Sequence, residues 1–289
     1  MSIKIDNVTY TYNPNSHFES KALDSVNLEI GENEFVGLIG HTGSGKSTLV
    51  QMLNALLLPT QGFVEVDGIR TDVKGKELKS IRQTVGLVFQ YPEYQLFEET
   101  IALDIAFGPK NLGLSEDEVN IRVKNSMEVV GLDYEEMKDM SPFDLSGGQK
   151  RRVAIASVLA MNPKYLILDE PTAGLDPAGR DEILGEIKDL YDKSEDITII
   201  IVSHSMEDIA KIANRVIVMH QGKVFADSTP REVYKLDTEL EEIGLDVPQI
   251  TKATKLLKEK GYIFDDTVLT VEEAFQAIVK QKGGPKHAE

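Results

Sequence analysis

The sequence predicts an α/β fold: a mixed, largely parallel sheet, an antiparallel β-subdomain beside it, a helical subdomain and a small helical appendage at the C-terminus. Three observations predict it. The runs 34–39, 85–89, 165–168 and 198–202 are short, apolar and rich in β-formers, as strands buried on both faces must be. A glycine-rich loop, Gly40-His41-Thr42-Gly43-Ser44-Gly45-Lys46-Ser47-Thr48, follows the first of them and opens into the helical run 48–56. Two earlier strands, 3–12 and 22–30, sit on short connections that suit an antiparallel pair.

The loop fits G-x-x-x-x-G-K-[ST] and has the strand, loop, helix context that pattern needs. Its glycines let backbone N–H groups turn inward around a polyphosphate. The helix N-terminus adds roughly half a positive charge at the same place. Lys46 can reach the β and γ phosphates, and the Ser47 hydroxyl is suited to ligate Mg²⁺. The pattern alone implies ATP or GTP and a phosphate-loop NTPase core.

Composition narrows the reading. The 289 residues suffice for one large domain, or one domain with an appendage. There is no cysteine, so disulfides and thiolate metal sites are excluded. Residues 1–5 enter strand-like alternation at once, and no secretory signal is expected before the fold. The longest apolar stretches, 153–161 and 197–202, fall far short of the roughly 20 residues of a membrane span. A net charge of −17 argues against non-specific nucleic-acid binding, which needs many Lys/Arg–phosphate contacts. A nucleotide must then be drawn in by local N–H groups, Lys46 and Mg²⁺ against the field of the whole molecule.

In chain order, Tyr12 ends the first strand. It is placed either as a platform for a purine ring, worth about 1–3 kcal/mol, or as a half-buried edge tyrosine. Tyr10, two residues earlier, shares its face. Residues 62–68 read as a strand ending in a D-G turn, and 85–89 as a buried strand ending at Gln90. The following loop carries Tyr91, Tyr94 and Phe97, a costly surface if bare. It either meets a partner or folds back on its own helices. Helical patterns follow at 100–107 and 116–130, with Ser115 and Glu118 predicting a capping box. Leu145-Ser146-Gly147-Gly148-Gln149 is a second glycine turn just before a strong helix at 150–160, hence a second possible anion site. One nucleotide does not need two such sites from one chain.

The strand at 165–168 ends in two carboxylates. Asp169 is placed to hold Mg²⁺, directly or through water. Glu170 can act as the general base that polarises the attacking water. Ser203-His204 tips the next strand, on the edge where open α/β sheets bind ligands, so His204 reads as a γ-phosphate contact. The side chains of His17, His41, His220 and His287 are assigned no chemistry. Residues 215–220, Gln221-Gly222 and 223–226 form a hairpin with a two-residue turn. Thr229-Pro230-Arg231-Glu232 marks a helix start. From there the chain turns to short Glu/Lys-rich helices, which divides it at 1–228 and 229–289. Thr270 and Glu273 cap a last helix, and Gly283-Gly284-Pro285 begins a frayed tail.

With Gly40–Thr48, Gln90, Leu145–Gln149, Tyr165–Glu170, Gly174-Leu175-Asp176 and His204 in this order, residues 3 to 228 resemble an ATP-binding-cassette ATPase subunit. Leu-Ser-Gly-Gly-Gln is the discriminating signature. The resemblance implies a helical signature subdomain at about 91–162, ATP with Mg²⁺, and a head-to-tail dimer. In that dimer Ser146, Gly147, Gly148 and Gln149 meet the γ-phosphate held by the other subunit. It implies that Tyr12 stacks on adenine, that Gln90 links the Mg²⁺ site to a transmembrane partner, and that the Asp176 loop communicates across the dimer. Gly174 departs from the serine or other small residue that many of these ATPases carry there. Residues 89–100 and 106–111 are similar to the ATPases of energy-coupling factor transporters, with Leu96–Thr100 closer to the second of two paralogous subunits. That implies vitamin or micronutrient import, a paralogous ATPase partner (or a second copy), a transmembrane scaffold and substrate-binding membrane components. It implies a peripheral location on the cytoplasmic face of the cell membrane. A soluble cassette ATPase acting on ribosomes or DNA is disfavoured by the single cassette, the short interval from Lys46 to Asp169 and the acidic charge.

Overall fold

A computed structural model describes residues 1–73, 75–194, 196–264 and 266–281. The expected tail at Gly283–Pro285 and His287 lie outside the described residues.

Two sheets carry the fold. The first strands are β1 (Ile3–Tyr12) and β2 (Ser20–Ile30), an antiparallel pair with Ile3 opposite Ile30. Next come β3 (Phe35–Ile39), α1 (Lys46–Leu53), β4 (Gln61–Val66) and the short β5 (Ile69–Arg70). β4 pairs with β1 and β5, which completes an antiparallel sheet of order β2-β1-β4-β5. This is the antiparallel subdomain the sequence predicts.

The chain then makes α2 (Lys76–Thr84), β6 (Val85–Val88) and a helical excursion: α3 (Ile101–Leu112), α4 (Glu116–Val129), α5 (Tyr134–Met137) and α6 (Gly147–Leu159). It returns through β7 (Tyr165–Asp169), α7 (Pro177–Lys193), β8 (Thr198–Val202), α8 (Met206–Ile212), β9 (Arg215–His220) and β10 (Lys223–Ser228). The second sheet has order β10-β9-β3-β8-β7-β6 and is parallel except for β10. It is sandwiched. Phe35, Ile39, Leu166, Leu168, Ile199 and Ile201 face one buried cluster. Val36, Leu38, Tyr165, Ile167, Ile200 and Val202 face the other. Burial on both faces is why these strands read as unbroken apolar runs.

The last elements are α9 (Pro230–Tyr234), α10 (Asp237–Glu242), α11 (Gln249–Glu259) and α12 (Val271–Gln281). Val233, Tyr234, Leu240, Leu245 and Val247 join the main core, while Phe264, Val268 and Ala274 centre a small core of their own. Thr229 and Thr270 cap as expected, accepting from the Glu232 and Glu273 amides.

Four local expectations are corrected. The helix after the phosphate loop spans Lys46–Leu53 rather than 48–56, because Gly45 already serves as its N-cap. The helix expected at 100–107 runs on to Leu112, through Pro109. Ser115 caps α4 through the Glu118 amide, but the reciprocal bond that would make a box is formed between Ser146 and Gln149 instead. Gly147 and Gly148 are the first turn of α6, not a turn ahead of it. The sequence reading also passed over α7, whose 17 residues open with Asp176 as N-cap and Pro177 in the first turn.

Candidate active site

Strand register gathers the site at one sheet edge. Leu38 of β3 lies between Val202 of β8 and Ile217 of β9. Leu168 of β7 lies opposite Val88 of β6 and Ile201 of β8. All these strands run the same way. The segments leaving their C-terminal ends are therefore neighbours: Gly40–Thr48, Gln90, Asp169-Glu170 and Ser203-His204. This is the edge that sequence reasoning chose.

The phosphate loop wraps its own lysine. Lys46 is buried, and its Nζ donates to Gly40 O at 2.7 Å and His41 O at 3.1 Å. Burial lowers its pKa; the charges of Glu170 and Asp169 act in the opposite direction. Gly45 has φ +105°, and a Cβ there would lie 2.6 Å from Ala22 O. Only glycine lets the loop sit this close to β2. Ser44 Oγ is buried without a hydrogen-bond partner, in a loop whose Thr42 and Gly43 are exposed. A phosphate oxygen would satisfy it.

His41 is turned aside. Its Nδ1 lies 2.7 Å from Thr42 O and its Nε2 lies 3.2 Å from His220 Nδ1, so only its backbone faces the loop's interior. Tyr12 reaches the start of α1. Its hydroxyl lies 3.1 Å from Thr48 Oγ1, and its ring stands edge-on to Tyr10 at 4.8 Å between centroids. The ring is 39 % exposed, beside the phosphate loop.

Asp169 and Glu170 follow from how β7 ends. Asp169 closes the strand and is almost fully buried. Burial raises its pKa, against the pull of Lys46 and a hydrogen bond from the Ser47 hydroxyl. Glu170 sits at φ +53°, where a non-glycine residue costs about 1–3 kcal/mol, and its amide donates to Val202 O at 3.0 Å. That bond turns the chain towards the tip of β8. Burial first, and Asp169 second, push the Glu170 pKa up to about 7; Lys46 and the His204 backbone amide pull it down. His204 Nε2 comes within 3.2 Å of Glu170 Oε1. The approach is off the line a hydrogen bond needs, and Oε1 is buried with no hydrogen-bond partner. Burial, then Lys46, hold the His204 pKa below its usual value. The result is a carboxylate poised near neutrality beside a largely neutral imidazole, which is what general-base work requires.

Two predicted groups stand apart. Gln90 is exposed, two residues beyond Val88 and so level with Glu170 across the sheet edge, with no side-chain hydrogen bond. Ser146–Gln149 close on each other: the Gln149 amide donates to Ser146 Oγ at 3.3 Å and the Ser146 amide to Gln149 Oε1 at 3.1 Å. No hydrogen bond among the described residues joins them to Gly40–Thr48. The second helix N-terminus thus does not serve the chain's own phosphate loop.

Sequence reasoning missed Arg151. It sits on α6 directly after the signature and is 2 % exposed. It donates to both carboxylate oxygens of Glu93 and to the carbonyls of Pro171 (3.0 Å) and Ala173 (2.8 Å). One side chain ties the signature helix to the aromatic loop and to the loop after Glu170. The available signal was an arginine at the head of an apolar helical run, but three basic residues in a row (150–152) read as a solvated face. In the aromatic loop Pro92 and Leu96 are buried as anchors, while Tyr94 and Phe97 are 85 % and 56 % exposed. Gly174 has φ +74° and lies against the Tyr91 ring, so the departure from serine suits the backbone here.

The donors at the sheet edge fit Mg²⁺ in kind. Ser47, Asp169 and Gln90 offer only oxygens to a cation, the set a hard ion prefers. Among the described residues no helix is long and apolar enough to cross a membrane.

The comparisons with known proteins agree with this geometry. Residues 23–173 match the family described as ABC transporter. The chain is 60 % identical over 280 residues to the energy-coupling factor transporter ATP-binding protein EcfA2 of Clostridium tetani, covering 97 % of each. It is similar to the structure of cbiO1 from Clostridium perfringens, part of the ABC transporter complex cbiONQ (TM-score 0.73, 38 % identity, 84 % of this chain and 96 % of that one). It is also similar to the dimeric post-hydrolysis structure of the cassette MJ0796 bound to ADP and Pi (TM-score 0.70, 33 % identity, 79 % and 99 %). The chain therefore belongs to the ABC transporter family, as an ATPase of the energy-coupling factor type.

Proposed function

We propose that this subunit hydrolyses Mg·ATP with Glu170 as general base, in a head-to-tail pair of cassettes on the cytoplasmic face of the cell membrane. Glu170 carries the reading: a buried carboxylate with an unpaired oxygen, 3.2 Å from His204, on the same sheet edge as Lys46. Ser47, Asp169 and Gln90 would hold Mg²⁺, which when bound offsets charge on the phosphates. Lys46 and the loop N–H groups of residues 40–48 bind the β and γ phosphates and stabilise charge on the transferring phosphoryl group. Tyr12 stacks on the adenine. Glu170 takes the proton of the attacking water, and His204 and Gln90 orient that water and the γ-phosphate.

The signature residues Ser146, Gly147, Gly148 and Gln149 complete the site of the partner subunit. Their separation from the chain's own phosphate loop supports this, as does the dimeric state of the similar MJ0796 cassette. The partner is a paralogous ATPase subunit or a second copy. We read 1–228 as the ATP-binding domain and 229–289 as an appendage that adds to the dimer contact. On the strength of the relatives' names, we take the chain to power uptake of vitamins or other micronutrients through a transmembrane scaffold and substrate-binding membrane components. The exposed Tyr94 and Phe97 are the surface offered to that scaffold. No nucleic-acid partner is expected of so acidic a chain.

The test is affinity purification of the tagged full chain from mildly solubilised membranes of its source. A multi-spanning scaffold, a second cassette subunit and small substrate-binding membrane proteins are expected together. Recovery of the chain alone, or with ribosomes, overturns the transport reading.

A further inference from the structure

The loop through which the dimer is proposed to communicate is tied to the histidine beside the catalytic base by one side chain. Asp176 caps α7, accepting from the Gly179 amide at 2.8 Å, and Arg180 donates its own amide to Asp176 O at 2.9 Å. The Arg180 guanidinium then leaves α7 for α8. Its Nε lies 2.9 and 2.8 Å from the two oxygens of Asp208, its Nη2 lies 2.6 Å from Oδ1, and Nη2 also donates to Ser205 Oγ. Asp208 is almost fully buried, and Arg180 is the only partner of its carboxylate among the described residues. Ser205 caps α8 by accepting from the Asp208 amide at 3.2 Å, and its amide donates to Ser203 Oγ at 3.0 Å. The residue between Ser203 and Ser205 is His204.

We propose that Arg180 is a positioning residue: by gripping Asp208 and Ser205 it holds His204 beside Glu170 and passes any displacement of the Asp176 loop to that pair. The proposal rests on the assignment of Glu170 and His204 given above. The bland alternative is a staple that merely packs α7 on α8. Lys211 and Asp181 also bridge these helices, at 3.7 Å and well exposed, so that job is shared. Nothing else reaches the Ser205 hydroxyl from α7.

The test is a double-mutant cycle on the full chain in its hydrolysing assembly, reading kcat, KM and nucleotide affinity with a fluorescent ATP analogue. Arg180→Ala is expected to lower kcat roughly 10–100-fold while KM and affinity stay within about threefold. In a His204→Ala background the same change is expected to have no further effect on kcat, because the residue it acts through is gone. Arg180→Lys keeps the charge but not the two-way grip and is expected to recover part of kcat; it also serves if the alanine variant fails to fold. Wild-type kcat in either Arg180 variant overturns the proposal, as do losses that multiply with His204→Ala. A Glu170→Gln control separates the two readings. If Glu170→Gln abolishes turnover and Arg180→Ala does not, only the positioning role is lost. If Glu170→Gln turns over normally, the assignment of the base itself is wrong.

Discussion

Arg151 and Glu93, 58 residues apart in the sequence, form a two-pronged ion pair at 3.0–3.3 Å with the arginine buried to 2 % exposure. The same guanidinium holds the carbonyls of Pro171 and Ala173. Signature helix, aromatic loop and the segment after Glu170 therefore move as one piece or not at all.

Removing one member of such a pair strands the other away from water. Arg151→Met is expected to destabilise the fold by about 3–5 kcal/mol, read as a lower urea midpoint. Glu93→Gln keeps a hydrogen-bond acceptor and is expected to cost less. An unchanged midpoint in Arg151→Met contradicts the proposed linkage.

Tyr12 separates stacking from hydrogen bonding. Tyr12→Ala is expected to weaken ATP binding by about 1–3 kcal/mol, while Tyr12→Phe loses only the contact to Thr48 Oγ1 and keeps most of the affinity. Equilibrium titration with a fluorescent nucleotide distinguishes them. Equal losses in both variants would assign Tyr12 to anchoring rather than stacking.

Glu186 gives a pH signature outside the catalytic centre. It faces Arg152 at 3.0 Å between α6 and α7, and burial, more than the neighbouring Glu182, pushes its pKa from 4.5 up to about 7. The folded state then holds a proton that the unfolded chain releases near pH 4.5. Stability from this group falls as pH rises from about 4.5 to 7, and the loss is complete above 7. Glu186→Gln cannot ionise. Its melting temperature relative to wild type is expected to rise between pH 5 and pH 8; a difference independent of pH contradicts this.

The aromatic loop should matter to assembly and not to the nucleotide. The double substitution Tyr94→Ser with Phe97→Ser removes two exposed rings and leaves the anchors Pro92 and Leu96 in place. ATP affinity is expected to stay unchanged while co-purification with membrane proteins is lost. Retained co-purification would move the scaffold contact elsewhere.

Much of this was legible in the sequence where local chemistry dictates local structure. The phosphate loop needs glycines at left-handed positions, and Gly43 and Gly45 occupy them. Strands buried on both faces show as apolar runs, so β3, β7 and β8 and the carboxylates at their ends could be placed together. What could not be read depends on contacts made across the chain. Arg151 looks like surface charge until Glu93 arrives from 58 residues away. Arg180 likewise gains its meaning only when α8 packs on α7. The capping box was assigned to Ser115 because its spacing fits, and Ser146 with Gln149 formed it instead; spacing permits the reciprocal bond, and side-chain placement decides.

The central claim is that Glu170 is the base. The most direct measurement compares nucleotide affinity and steady-state hydrolysis of wild type and Glu170→Gln in the same assembly. The glutamine keeps the shape of the side chain at φ +53° but cannot accept the proton of water. ATP binding is expected to persist within a few-fold while turnover falls by about 10²–10⁴. Turnover at the wild-type rate with binding intact would contradict the assignment.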